Sequence, residues 1–194
     1  MSSNNEYVGP YRAAASSRLI GELPAEQDPI DPSRTLWAAW DTLAEVPLKA
    51  PALSGLELMR AILRGELPSP PIHHVLGIIG ESVEPGHVVF SMAPQEVHYN
   101  PMGVVHGGVI SLILDSAVGC SVLTTLPVGA AYTTVDLHVT MTRAVTSASG
   151  VLRAEGRAVH TGRRVATAEG RLTDSKGRLV ASAVTTCLVT EATS

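Results

Sequence analysis

The spacing of apolar residues divides the chain into three zones. Residues 1–32 show no periodicity and are rich in Ser, Ala, Pro and acidic residues; they read as a flexible arm. From 33 to 71 the apolar positions recur at helical spacing. Ser33 caps a first predicted helix with Leu36, Trp37, Trp40, Leu43 and Ala44 on one face. After Pro47 and Pro51, Ser54-Gly55-Leu56-Glu57 forms a capping box for a second, because Ser and Glu each satisfy an amide left free at a helix start. Leu56, Met59, Ile62 and Leu63 form its apolar face and Gly65 its stop. Pro68–Pro71 reads as a linker.

From residue 72 the period shortens to two. Val75–Val83 and His87–Met92 read as strands joined by a Glu84-Pro85-Gly86 turn. A helix over Val109–Leu123 follows, then strands over Tyr132–Thr142, Val151–His160, Arg164–Thr173 and Leu179–Val189. In Tyr132–Thr142, Val135, Leu137, Val139 and Met141 alternate with Thr134, Asp136, His138, Thr140 and Thr142, so the former are expected inward and the latter outward. Short connections imply antiparallel pairing. The expected architecture is α+β: an antiparallel sheet of six strands wrapped around one long central helix, with an N-terminal helical leader.

That helix is apolar all round its wheel, so it is expected to be covered on every side, by the leader helices or by a second subunit. One carboxylate, Asp115, stands in its middle. A carboxylate among apolar residues needs a partner or a function. Hydrogen bonding to a Ser or Thr, or pairing with Arg143, is the plain reading; a general base or nucleophile is the functional one. At the helix start, Gly107 and Gly108 present backbone N–H groups at the positive end of the helix dipole, which suits a polarised carbonyl. Asn100 and His106, in the approaching loop, are candidate donors as well. Asn100 also fits as a turn residue before Pro101, and His106 as a residue that packs the loop.

Gly107 and Asp115 are eight residues apart, about 12 Å along a helix. One carbonyl carbon cannot be served by both from a single chain. If both act in one reaction they come from different subunits, which implies a dimer with two composite sites.

Composition narrows the function classes. Aromatic residues are 4% of the chain, so the core is aliphatic. Residues 1–140 hold 6 Lys/Arg against 14 Asp/Glu, and residues 141–194 hold 8 against 4, so a net charge of −4 hides a basic C-terminal segment. Without a basic run or interleaved aromatics it does not suit nucleic acid; a phosphorylated small ligand suits it better. The polar, acidic start reads as no signal peptide, and no apolar run is long enough for a membrane span. A cytoplasmic location is expected, with Cys120 and Cys187 as free thiols. There is no nucleotide-binding loop, no G-x-S-x-G and no H-E-x-x-H. His73-His74 reads as a loop pair, and neither a metal nor a separate cofactor is expected.

The run Asn100-Pro101-Met102-Gly103-Val104-Val105-His106-Gly107-Gly108, followed by Asp115, resembles hotdog-fold acyl-CoA thioesterases of the PaaI type. Thr133–Leu137, His160–Arg164 and Ala181–Leu188 add to the resemblance, which spans about residues 72–190. It implies hydrolysis of an acyl- or aryl-CoA thioester to a carboxylic acid and CoA. It implies homodimers with continuous sheets, often paired into homotetramers. Gly107 and Asn100 would polarise the carbonyl, Asp115 of the other subunit would act as base or nucleophile, and Thr134 would help position water; some relatives carry Ser there. Gly108, Arg163 and Arg164 are the candidate CoA contacts. A hotdog enoyl-CoA hydratase or dehydratase, and a non-catalytic acyl-CoA-binding dimer, are the competing readings.

Overall fold

The computed structural model describes residues 52–191. The expected arm and the helix bearing Trp37 and Trp40 lie outside the described residues. Helix α1 spans Gly55–Leu63 and α2 Pro71–Leu76. Strands β1 (Ile78–Glu84) and β2 (His87–Met92) precede the long helix α3 (Gly107–Leu123). Strands β3 (Ala130–Met141), β4 (Leu152–Thr161), β5 (Val165–Thr173) and β6 (Leu179–Glu191) follow. All six strands join one antiparallel sheet in the order β1-β2-β4-β5-β6-β3. Helix α3 packs on β2 through β6, as the pattern implied.

The capping box forms as expected. Ser54 Oγ accepts from the Glu57 amide, and the Glu57 carboxylate accepts from the Ser54 amide at 2.8 Å. Ser54→Ala should therefore cost about 1 kcal/mol, a fall in melting temperature of about 2–4 °C, read by thermal denaturation. Helix α1 starts against the far end of α3, where the Gly55 amide donates to the Leu126 carbonyl at 3.1 Å.

Two expectations about the backbone need correction. Residues 71–76, where the pattern predicts the end of a linker, a loop at His73-His74 and the start of a strand at Val75, form α2, with Pro71 at its first turn and Gly77 left-handed at φ 63° as its stop. Pro at a helix start and Gly past its end is a signature that the strand reading overlooked. In β3 the expected alternation breaks at a bulge between Thr134 and Asp136 in the pairing with β6. An inserted residue reverses which side chains face inward. Tyr132, Thr134, Leu137 and Val139 are thus partly covered, whereas Val135, expected inward, is 60% exposed. Met141, also expected inward, is 45% exposed.

The core is aliphatic and lies between α3 and the sheet. Ile113, Leu114, Ala117, Val118 and Val122 of α3 are fully buried against Leu152, Ala154, Ala166, Leu172 and Val180. Helix and sheet meet closely at Gly156 of β4, paired across strands with Gly170 of β5. A Cβ at Gly156 would stand 2.1 Å from the Ala117 carbonyl oxygen, and one at Gly170 2.6 Å from Val118 Cγ1. The absence of both side chains lets α3 settle onto the sheet.

Within the single chain, one side of α3 is left open. Leu112, Asp115, Ser116 and Cys120 form an outer stripe that stays partly exposed.

Candidate active site

The loop before α3 is built by its own polar groups. Asn100 Oδ1 accepts from the Met102 amide at 3.0 Å and the Val104 amide at 3.4 Å, and its backbone N–H donates to the Val104 carbonyl at 2.8 Å. A bridge between Tyr99 and Val105 closes the loop. The Asn100 carbonyl side is therefore spent on the turn, as the plain reading had it, and its Nδ2 hydrogens are the donors it keeps.

His106 is the N-cap of α3. Its Nδ1 accepts from the Gly108 amide at 2.8 Å. This corrects the expectation that both glycine amides are open: the Gly108 N–H is taken by the cap. In a neutral His106 ring the proton then sits on Nε2, which can still donate. Among the described residues nothing accepts the Gly107 N–H. Met141 lies beside it: a Cβ at Gly107 would be 3.1 Å from Met141 Cε. The open donor at the positive end of α3 is thus the Gly107 amide.

Asp115 lies two turns further along α3, on the outer stripe, partly exposed rather than enclosed. Thr134 Oγ1 donates to Asp115 Oδ1 at 3.1 Å. Arg143 is not its partner among the described residues. The bulge after Thr134 is what turns this hydroxyl inward, so the sheet irregularity and the site share a cause. A carboxylate with one oxygen held by a hydroxyl keeps the other free to accept from water.

Two thiols stand close to this carboxylate. Burial pushes the Cys120 thiol up to about 12, with the Asp115 charge adding to the shift and a hydrogen bond from Tyr132 opposing it. Burial likewise raises Cys187, which pairs across strands with Thr134. Both thiols remain protonated at neutral pH and are poor nucleophiles. Tyr132 crosses α3 at Gly119, where a Cβ would be 2.5 Å from its hydroxyl.

On the other flank of the stripe, Ser116 Oγ meets His73 Nε2 at 3.1 Å. His73 is 7% exposed and sits edge-on to Phe90 with ring centroids 5.2 Å apart. The reading of His73 as an idle loop residue is therefore corrected: it ties α2 to the residue after Asp115. Burial lowers its pKa, so it is neutral at pH 7. The Pro71…Gly77 helix signature was the signal available for it.

Arg163 and Arg164 occupy the β4–β5 turn and are exposed. That turn lies one step past the cross-strand row Thr134, Cys187, Ala166, Thr161. Arg153, Arg157 and Arg178 are paired with Glu81, Glu155 and Asp174. Among the described residues Arg163 and Arg164 have no such partner, so their charges are open to solvent. No group of three or more His, Cys, Asp or Glu among the described residues is placed to hold a metal. No helix among them is long and apolar enough to cross a membrane.

Known proteins share this fold. The sequence pattern of the thioesterase superfamily matches residues 102–181, a span that holds Gly107, Asp115, Thr134, Arg163 and Arg164. A phenylacetic acid degradation-related protein from Ralstonia eutropha is 32% identical, over 66% of this chain and 97% of that one, with a TM-score of 0.61. A Streptococcus mutans protein solved with acetyl CoA is 26% identical, over 60% and 91%, at a TM-score of 0.55. The Escherichia coli PaaI protein shares the fold, with 20% identity over 73% and 98% and a TM-score of 0.62. No curated protein matches. The fold is the hotdog fold, and the chain belongs to the thioesterase superfamily. Within it the chain is similar to the phenylacetic acid degradation-related protein and shares its fold with PaaI.

Proposed function

We propose that the protein hydrolyses an acyl- or aryl-CoA thioester to a carboxylic acid and CoA. The observation that carries this reading is the pair of working ends on α3: a Gly107 amide at the positive terminus with no partner among the described residues and, two turns on, Asp115 held by Thr134. The amide, with Asn100 Nδ2 and His106 Nε2 in the same loop, stabilises charge developing on the thioester oxygen. Asp115 takes a proton from water, or attacks the carbonyl itself, with Thr134 fixing its orientation. Coenzyme A enters as part of the substrate, and the acetyl CoA bound to the S. mutans relative supports that ligand class. Arg163 and Arg164 receive its phosphates.

The axial distance between Gly107 and Asp115, about 12 Å, calls for a second copy of the chain. Strand β3 offers the surface. It is a 12-residue edge strand, with Val135 exposed, and an unpaired edge of that length is suited to pairing with another chain. In this reading each site joins Gly107 of one protomer to Asp115 of its partner, and dimers pair further into tetramers.

Subunit mixing tests the composite site. Gly107→Pro removes the amide hydrogen and suits the first position of a helix; the preceding His106 at ψ 136° already has the extended backbone that proline requires. Asp115→Asn removes the base. Each variant alone should be inactive in a thiol-release assay. Unfolded and refolded together they should regain about a quarter of wild-type activity, because half the dimers carry one intact site of two. No regain from a folded mixture overturns the shared site. Hydration of crotonyl-CoA without CoA release would instead favour a hydratase, and stabilisation by acyl-CoA without turnover a binding protein.

A further inference from the structure

A cavity of about 380 Å³ lies between α1, α2, β1 and the outer flank of α3. Its walls include Met59, Ile62 and Leu63 of α1, His73 of α2, Phe90 of β2 and Cys120 of α3. None of the described residues lining it is Asp, Glu, Lys or Arg, so an ionised group inside would be unpaired and costly. An apolar, uncharged tail is what such walls accept, and the volume falls in the range of ligand pockets. A cavity of about 150 Å³ holds benzene; this one is large enough for a longer, flexible chain.

The cavity is joined to the catalytic helix at two points. Ser116, the residue after Asp115, is bonded to His73 in the cavity wall. Cys120 lines the cavity and follows Gly119, against which the Tyr132 hydroxyl packs, two residues from Thr134 on the same strand. The axial rise from Asp115 to Cys120 is about 7.5 Å. Asp115 is turned to β3 and Ser116 to α2, so the stripe between them leads from the carboxylate to the cavity.

We propose that this cavity receives the distal end of a medium-chain aliphatic acyl group, and that Ile62, Leu63 and His73 set which chain lengths are accepted. The inference rests on the reading of the protein as an acyl-CoA enzyme and adds the leader helices α1 and α2 to its specificity apparatus.

The test separates the cavity from the chemistry by using thioethers, which cannot be hydrolysed. Calorimetry should show octyl-CoA thioether binding the wild-type protein at least about tenfold more tightly than ethyl-CoA thioether, since each buried methylene contributes roughly fourfold. Leu63→Trp and Ile79→Trp, both at residues that line the cavity, place bulk at the rim, at positions 40% and 65% exposed where folding tolerates it. Each should erase most of the octyl advantage and leave ethyl-CoA affinity within about twofold. If one variant melts early, the other carries the comparison. An octyl advantage unchanged in folded variants overturns the cavity assignment, as does equal binding of both thioethers by the wild type. Binding of neither overturns the acyl-CoA reading itself. Tail-dependent binding without any thiol release from octanoyl-CoA leaves the cavity standing and strikes only hydrolysis.

Discussion

Asp115→Asn should lower kcat for thioester hydrolysis by about 10²–10⁴-fold, the range that a positioned acid–base group contributes, and leave the fold in place. The expectation of an intact fold follows from the surroundings. Asp115 is partly exposed and has no ion pair among the described residues. The amide that replaces it keeps an oxygen to accept from Thr134 Oγ1. Melting temperature should therefore move by no more than a few degrees. The loss in rate follows because the amide neither takes a proton from water nor attacks a carbonyl, and the neighbouring thiols do not stand in. Cys120 is pushed up to about 12 by burial, so its thiolate is scarce at any working pH. A thousandfold loss corresponds to about 4 kcal/mol of transition-state stabilisation. Thiol release under saturating substrate, with thermal melting alongside, makes the measurement. Near-normal turnover in a folded variant removes Asp115 from the mechanism.

The parts of this site that were legible in the sequence are those set by local rules. The Ser54…Glu57 box, the Glu84-Pro85-Gly86 turn and the glycine-led start of α3 are short-range signals, and each forms where expected. So is the eight-residue spacing that separates the Gly107 amide from Asp115. What was not legible depends on partners distant in the chain. The bulge that turns Thr134 inward exists only in the register between β3 and β6; read alone, Tyr132–Thr142 alternates cleanly and gives the wrong side for Val135. The bond between His73 and Ser116 spans 43 positions and required α2, hidden by a proline-rich approach that resembles a linker. Gly108 differs for another reason: its amide is free in sequence terms, but the His106 side chain folds back to cap it. The start of α3 thus has one open helix amide among the described residues, not two.

The largest effect on stability is expected at Gly156, far from the chemistry. A methyl group there would fall 2.1 Å from the Ala117 carbonyl oxygen and 2.8 Å from the Val118 nitrogen. These are backbone atoms of a helix, which cannot swing aside as a side chain does. Helix α3 would have to lift from β4, opening the contacts of Ala117 and Val118, both fully buried. Gly156→Ala should cost about 3 kcal/mol or more, a fall of about 6–12 °C in melting temperature for a chain of this size. At the cross-strand partner the obstacle is Val118 Cγ1, at 2.6 Å, a side-chain atom that can be removed. Gly170→Ala should cost less, and Val118→Ala should relieve part of that cost. The same Val118→Ala should not rescue Gly156→Ala, because the clash there is with the helix backbone. The two double-mutant comparisons distinguish a backbone contact from a side-chain one. Rescue at both positions, or at neither, would mean that α3 does not rest on the sheet through this glycine pair. Because α3 carries Gly107 and Asp115, Gly156→Ala should also reduce turnover at temperatures well below its own melting point, as the helix shifts relative to Thr134.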